Sequence, residues 1–383
     1  MDIVNRREFL RTGAGAAAFA AMPSVSAFGA EGLRPDFKWS MLVHFGMKWC
    51  GELERTRTKG KPAGYLSGHL TQEEYDLICT ETYWTHKKLR FDEGLWREYS
   101  DQLKANGCNT LVIDLAEFMR FPSHPELAVA DSWSPERTAA EVERLRGMGF
   151  ELIPKLNFSC THNGWMGIYR RMIGTPKYYE VCRDVIRDTM QVFKDSKVFH
   201  LGMDEEQNIE YQKKDCDVMV MRNNRLWWQD LNFYFDEVRK YGCRPWIWSN
   251  SVSAKGFKGI DEYARNVPKD VISSVWAYYH ADYRWNPKVT EEQIRKGNAG
   301  RLGRYKEMTT KLSQAGYSIM PCMSHCYGDP QGCFDLFNAT REIVPADRFV
   351  GVAMTTWMPV MPAYRRRLRQ GAEIIGELRR LPV

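Results

Sequence analysis

Eight short apolar runs recur along the chain, each closing on a polar, glycine-rich or aromatic patch. They begin at residues 39 (WSMLVHFG), 109 (NTLVIDLAE), 150 (FELIPKLNFS), 198 (VFHLGMDEE), 244 (RPWIWSNS), 271 (VISSVWAYYH), 317 (YSIMPCMSH) and 349 (FVGVAMTTW). Most are separated by stretches with helical spacing of apolar positions: Leu95 to Asn106, Pro135 to Gly147, Tyr178 to Lys194, Arg225 to Tyr241 and Leu302 to Gly316. A strand buried on both faces reads as a continuous apolar run, and its alternation with amphipathic helices predicts a parallel sheet. Eight such units close into a single-domain (β/α)8 barrel. The tripeptides NGC, MGF, YGC and AGY end four of the helical stretches, where glycine supplies the left-handed turn into the next strand. Residues 50–93 and 277–300 are read as long loops after the first and sixth strands, on the face where such barrels build their sites.

The first 27 residues stand outside this pattern. NRREFLRTGAGAAAFAAMPSVSA pairs Arg6 with Arg7 ahead of a small apolar run, as a twin-arginine export signal does, with a cut expected after Ala27. The mature chain, residues 28–383, is then expected in the periplasm or outside the cell. The net charge of +6 is scattered, which argues against nucleic acid as a partner, and no later run of 18 apolar residues predicts a membrane span. Nothing in the sequence sets an oligomeric state. The ten cysteines follow no framework spacing and are expected as reduced, buried thiols. Cys322, His325, Cys326 and Cys333 form the one cluster with a zinc-like composition, but strand alternation turns His325 away from both nearby cysteines. No motif calls for a metal or another cofactor.

The acidic run Asp204–Glu205–Glu206 follows the fourth apolar stretch. Period-two alternation puts His200, Gly202 and Asp204 on the inner face and Phe199, Leu201 and Met203 against the helix layer. Asp204 then sits at the strand mouth, with Glu205 opening the loop and Glu206 read as a solvated loop residue. Two carboxylates in different surroundings suit glycosidic bond cleavage, where one protonates the leaving oxygen and another stabilises positive charge. Other polar groups expected at strand ends are His44, Asp114, Glu117, Asn157, His162, Asn250, His280 and His325, donors and acceptors able to read sugar hydroxyls.

The segment YYEVCRDVIRDTMQVFKDSKVFHLGMDEE resembles the catalytic segment of glycoside hydrolase family 20, the β-N-acetylhexosaminidases, whose signature is H-x-G-G-D-E. His200, Gly202, Asp204 and Glu205 match, and Met203 stands where the second glycine is expected. The resemblance implies that Glu205 is general acid and base and that Asp204 orients a 2-acetamido group, which attacks from within the substrate. By the same likeness PWIWSNS brings Trp248, SSVWAYY brings Trp276, CYGDP brings Tyr327 and Asp329, and TTWMP brings Trp357 to the sugar. Pyranose C–H faces stack on such rings.

The beginning of the barrel departs from that family. WSMLVHFGMKW and FDEGLWREYSDQLKANGCNTLVIDLAE resemble the opening of the α-L-fucosidases of glycoside hydrolase family 29, which use a fourth-strand aspartate as a nucleophile. That likeness implies that Asp204 attacks directly. If it does not attack and no acetamido group is present, Asp114 or Glu117 is the candidate second carboxylate. Three expectations stay open: substrate-assisted release of β-linked N-acetylhexosamine, a fucosidase-like retaining hydrolysis, and a catalytically silent glycan-binding barrel.

Overall fold

The structure, a computed structural model, describes residues 33–34, 36–47, 88–206, 219–249, 259–281 and 289–381. The expected export signal, most of the 50–93 segment and Asn250 lie outside them.

Eight strands alternate with eight helices among the described residues: β1 Lys38–His44, α1 Glu93–Ala105, β2 Thr110–Asp114, α2 Pro135–Gly147, β3 Glu151–Lys155, α3 Pro176–Val192, β4 Val198–His200, α4 Asn224–Arg239, β5 Arg244–Trp248, α5 Gly259–Asn266, β6 Ile272–Ser274, α6 Glu291–Gln314, β7, α7 Gln331–Ile343, β8 Gly351–Pro359 and α8 Arg365–Arg379. Strand β7 comes in two pieces, Ser318–Ile319 and Cys322–Ser324, because Pro321 between them has no N–H to give the ladder. Its first piece pairs with β6 and its second with β8, and β8 pairs with β1. All these pairings are parallel, so the ring closes and the expected (β/α)8 barrel is formed.

Local sequence explains the helix starts. Asp92, Ser134 and Thr175 accept hydrogen bonds from the backbone N–H three residues on, and Pro135 and Pro176 occupy the first turn, where a missing N–H costs nothing. The four punctuating glycines, Gly107, Gly149, Gly242 and Gly316, all have φ between 73° and 85°. Helix α6 differs from expectation: it starts at Glu291, behind a Thr290/Gln293 capping box, rather than near Leu302. Its first turns, EEQIRKGNAGR, lack an apolar stripe, so periodicity could not reveal them. The stretch read as a loop over 277–300 is therefore shorter and includes Tyr279–His280, paired antiparallel with Gly328–Asp329.

Two apolar clusters hold the layers. Phe199, Leu201 and Met203 belong to the cluster between sheet and helices. Leu42, Val112, Ile153, Val198, Trp246, Ile272, Met320 and Ala353 fill the barrel interior. Just above that plug, register aligns His44, Asp114, Lys155, His200 and Trp246 in one row around the wall. Apolar filling below and polar groups above define the floor of the mouth. No helix among the described residues is long and apolar enough to cross a membrane.

Candidate active site

The acidic pair sits on a strained turn. After β4, Gly202, Met203 and Glu205 have φ of 70°, 67° and 51°. A Cβ on Gly202 would lie 2.1 Å from Asn157 Oδ1 and 2.8 Å from its Cα, so that position has no room for a side chain. Met203 takes a backbone conformation that suits glycine, while its side chain is buried in the outer core. Apolar burial there offsets the strain. Among the described residues, Ala116, Asn224 and Trp357 are the other non-glycine residues with positive φ; they lie just after β2, at the first residue of α4 and late in β8, on the same face of the barrel. Strain held at one end of a rigid ring marks a site.

Asp204 is buried and held from one side. Its Oδ1 accepts a hydrogen bond from Asn157 Nδ2 at 2.8 Å, lies 3.5 Å from Ser159 Oγ and 3.6 Å from His162 Nδ1. Asn157 Oδ1 in turn accepts from the N–H groups of Met203 and Ser159, locking the β3 and β4 ends together. The contacts found for Asp204 among the described residues engage Oδ1. No contact of Oδ2 is found among the described residues. Glu205 beside it is half-buried. Ligand atoms of His162, Asp204 and Glu205 lie within 4.8 Å of one another, although His162 Nδ1 is also 2.5 Å from Thr161 Oγ1.

Glu206, read as solvated, is instead 2% exposed. Its carboxylate accepts from the N–H of Cys160 at 2.9 Å and of Arg222 at 2.9 Å, and pairs with the Arg222 guanidinium at 3.1 Å. Arg222 also meets Asp230 at 2.5 Å, the hydroxyls of Tyr178 and Tyr234, and the carbonyl of Phe158. This buried cluster anchors the residue next to Glu205. Sequence adjacency to two site residues suggested solvent, whereas distant partners on α3 and α4 made burial affordable.

The floor row carries a second buried network. Asp114 Oδ2 accepts from Lys155 Nζ at 2.5 Å and from His44 Nδ1 at 3.0 Å. Burial works against ionisation of Asp114, but Lys155 and His44 outweigh it and hold its carboxyl below the ordinary range. His44 also stacks on Trp357, with ring centroids 5.4 Å apart. His200 accepts from the Gly202 N–H at its Nδ1, which places its proton on Nε2, and it packs between Trp246 and Trp248. Lys155, which the sequence reading passed over, is the centre of this row.

Burial pushes the imidazoles of His44 and His162 below their ordinary value near 6.5 and that of His200 well below it. The folded chain keeps them neutral while the unfolded chain takes up protons near 6.5. Their contribution is thus complete above that pH and is lost as pH falls toward the folded values, at up to about 1.4 kcal/mol per pH unit for each histidine. Urea midpoints measured between pH 7.5 and 5.5 should drop steadily below 6.5; a flat profile would mean that the imidazoles are not buried neutral.

Aromatic residues form the opposite wall. Trp248 lies 5.9 Å from Trp276 and 6.2 Å from Trp357, and Tyr278 lies 6.2 Å from Trp357. Tyr278 reaches Cys322 Sγ at 3.4 Å. Burial raises that thiol to about 12. Tyr327 stacks on His280 at 4.2 Å and borders a cavity that also touches Trp276 and Tyr278.

Not every expected residue converges. Glu117 is buried and accepts from the Met47 N–H, tying down the chain after β1. Asp329 accepts from Gln331 N–H at the start of α7 and from Asn298, a structural use. His325 lies beside Gly371 and offers its carbonyl to Arg367, facing α8 rather than the mouth. The seven cysteines among the described residues are buried and free of disulfides.

A family model described as the glycosyl hydrolase family 20 catalytic domain matches residues 119–294, the span holding Asn157, His162, Asp204, Glu205, Trp248 and Trp276. No curated protein matches the chain in sequence. Among solved structures, the chain is similar to a family 20 β-N-acetylhexosaminidase from Streptomyces coelicolor, with a TM-score of 0.51 at 10% identity over 89% of this chain. It is likewise similar to a β-hexosaminidase from Streptomyces plicatus, solved with N-acetylglucosamine as product, with a TM-score of 0.52 at 12% identity over 89%. It covers 64% of the length of each. At such identities the likeness establishes the barrel fold.

Proposed function

We propose that the chain is a retaining glycoside hydrolase that releases β-linked N-acetylhexosamine by substrate-assisted catalysis. One observation carries this reading: buried Asp204, held among the described residues through Oδ1, stands beside a half-buried Glu205 after the fourth strand of a barrel whose later strand ends carry Trp248, Trp276 and Trp357. The family model supports it by spanning the same residues.

The roles follow from position. Asp204 Oδ2 accepts the N–H of the 2-acetamido group and turns its carbonyl oxygen toward C1. That oxygen bonds to C1 as the glycosidic bond breaks, and Glu205 gives its proton to the departing oxygen. The resulting oxazolinium keeps its N–H hydrogen bond to Asp204, whose negative charge stabilises the ring cation. Water then attacks C1 as the ring C1–O bond breaks and the acetamido group is restored, Glu205 takes a proton from the water, and two inversions retain the configuration at C1. Trp248, Trp276 and Trp357 offer ring faces to the pyranose. His44, Asp114 and Lys155 form the floor beneath it. We also propose that residues 1–27 direct export, so that the substrate is an extracytoplasmic glycan.

Aryl N-acetyl-β-hexosaminides and aryl α-L-fucosides, offered side by side, test the reading. Turnover of the former, with tight inhibition by a thiazoline mimic of the cyclised intermediate, is the expected result. A 2-fluoro sugar trapped covalently on Asp204 would establish instead the fucosidase-like route that residues 38–134 resemble. Glycan binding without hydrolysis of any aryl glycoside would leave a silent lectin-like barrel.

A further inference from the structure

Helix α6 buries Asn298, Tyr305, Thr309 and Leu312, spaced by seven, four and three residues and so on one face. Asn298 is the odd member of that face. A buried side-chain amide costs free energy unless its ends are bonded, and asparagine is a poor helix former because it seeks backbone partners. Here the partners lie on another segment. Asn298 Oδ1 accepts the His280 N–H at 3.0 Å, and its Nδ2 donates to the His280 carbonyl at 2.9 Å, with Asp329 Oδ2 at 3.4 Å. One side-chain amide thus pairs with both backbone groups of one residue, as an adjoining strand would.

His280 belongs to the ribbon in which Tyr279–His280 pairs antiparallel with Gly328–Asp329, and the next N–H, that of Ala281, donates to the Tyr327 carbonyl at 3.1 Å. A ribbon of two residues per strand is not stable alone, so its place depends on what holds its outer edge. The His280 ring stacks on Tyr327, with centroids 4.2 Å and planes 9° apart. Tyr327 in turn borders one cavity with Trp276 and Tyr278, which pack against Trp248 and Trp357 of the aromatic wall. We propose that Asn298 is a positioning residue: by fixing the His280 backbone it sets the ring on which Tyr327 stacks, and through it the place of Tyr327 against the bound sugar. This role rests on the reading of the barrel mouth as an N-acetylhexosamine site. The path is contiguous, from amide to backbone and from ring to ring.

Asn298→Leu tests this role, since leucine fills the site and suits the buried face of α6 while bonding nothing. Hydrogen exchange in the whole protein should speed up at least about tenfold at the His280 N–H and its ribbon neighbours. On an aryl N-acetyl-β-hexosaminide, kcat/KM should fall about tenfold. In a Tyr327→Ala background the same substitution should change kcat/KM less than about twofold, because its route to the sugar is already gone. Asn298→Ala should repeat the pattern, so that loss of fold in one variant leaves the other to decide. Losses that add in the double variant would reduce Asn298 to a structural staple, and unchanged exchange at His280 would mean that it holds nothing; either overturns the role. A protein that cleaves no hexosaminide but binds N-acetylglucosamine or fucose in calorimetry fails the reading of the mouth alone, and the same double-variant cycle on that affinity decides for or against Asn298. A protein that neither cleaves nor binds these sugars sinks both.

Discussion

Glu205→Gln should lower kcat on an aryl N-acetyl-β-glucosaminide by about 10²–10⁴-fold while KM changes little, the range expected when a proton donor and acceptor is removed. Glutamine has the shape of glutamate and faces the same left-handed backbone, so the turn after β4 is kept. It has no ionisable proton. A substrate whose leaving group departs unassisted, such as a dinitrophenyl glycoside, should lose much less in the first step, because the acid matters least there. Azide added to that reaction should restore turnover by supplying a nucleophile that needs no base. Full activity in Glu205→Gln would remove this residue from the chemistry.

Arg222→Met is the second change with a large expected effect. The guanidinium is fully buried and joins Glu206 and Asp230, two carboxylates that are also fully buried. Methionine roughly fills the volume but leaves both acids without a cation, a situation that costs about 3–5 kcal/mol. The urea midpoint should fall accordingly, with a steeper loss at neutral pH than at pH 5, where protonation relieves the stranded acids. Activity should fall as well, since Glu206 fixes the backbone directly after Glu205 and meets the Cys160 N–H in the β3 loop. Replacing Glu206, Arg222 and Asp230 together by apolar residues should recover part of the stability without the activity. A loss under about 1 kcal/mol in the single variant would show that the cluster does not anchor the site.

Legibility in the sequence tracks the range of the interactions involved. The eight strands were visible because each is a local apolar run, and alternation placed Phe199, Leu201 and Met203 outward, where the outer core holds them, and His200 inward, where it packs on Trp246 and Trp248. Glycine punctuation was visible because a left-handed turn is a local demand. Helix α6 was cut short because its first three turns carry no apolar stripe. Glu206 was misplaced, and Lys155 unnoticed, for the opposite reason: each is a charged residue whose burial depends on partners far away in sequence. Arg222 lies 16 positions beyond Glu206, and Asp114 lies 41 before Lys155. Asp329 was assigned to the sugar from a tripeptide pattern, and its carboxylate accepts from the Gln331 N–H at the start of α7.

By itself, then, the amino-acid order determined the eight strands and their order, the closed parallel ring they imply, and the strand end at which the acidic pair stands. Those follow from side-chain period and backbone stereochemistry, which act over a few residues. Only the tertiary structure decided which polar groups share a wall: Asn157 with Asp204, Arg222 with Glu206, Lys155 with Asp114 and His44, and Asn298 with the His280 backbone. A buried charge is stable only beside its partner, and ring closure sets which strands and helices are neighbours.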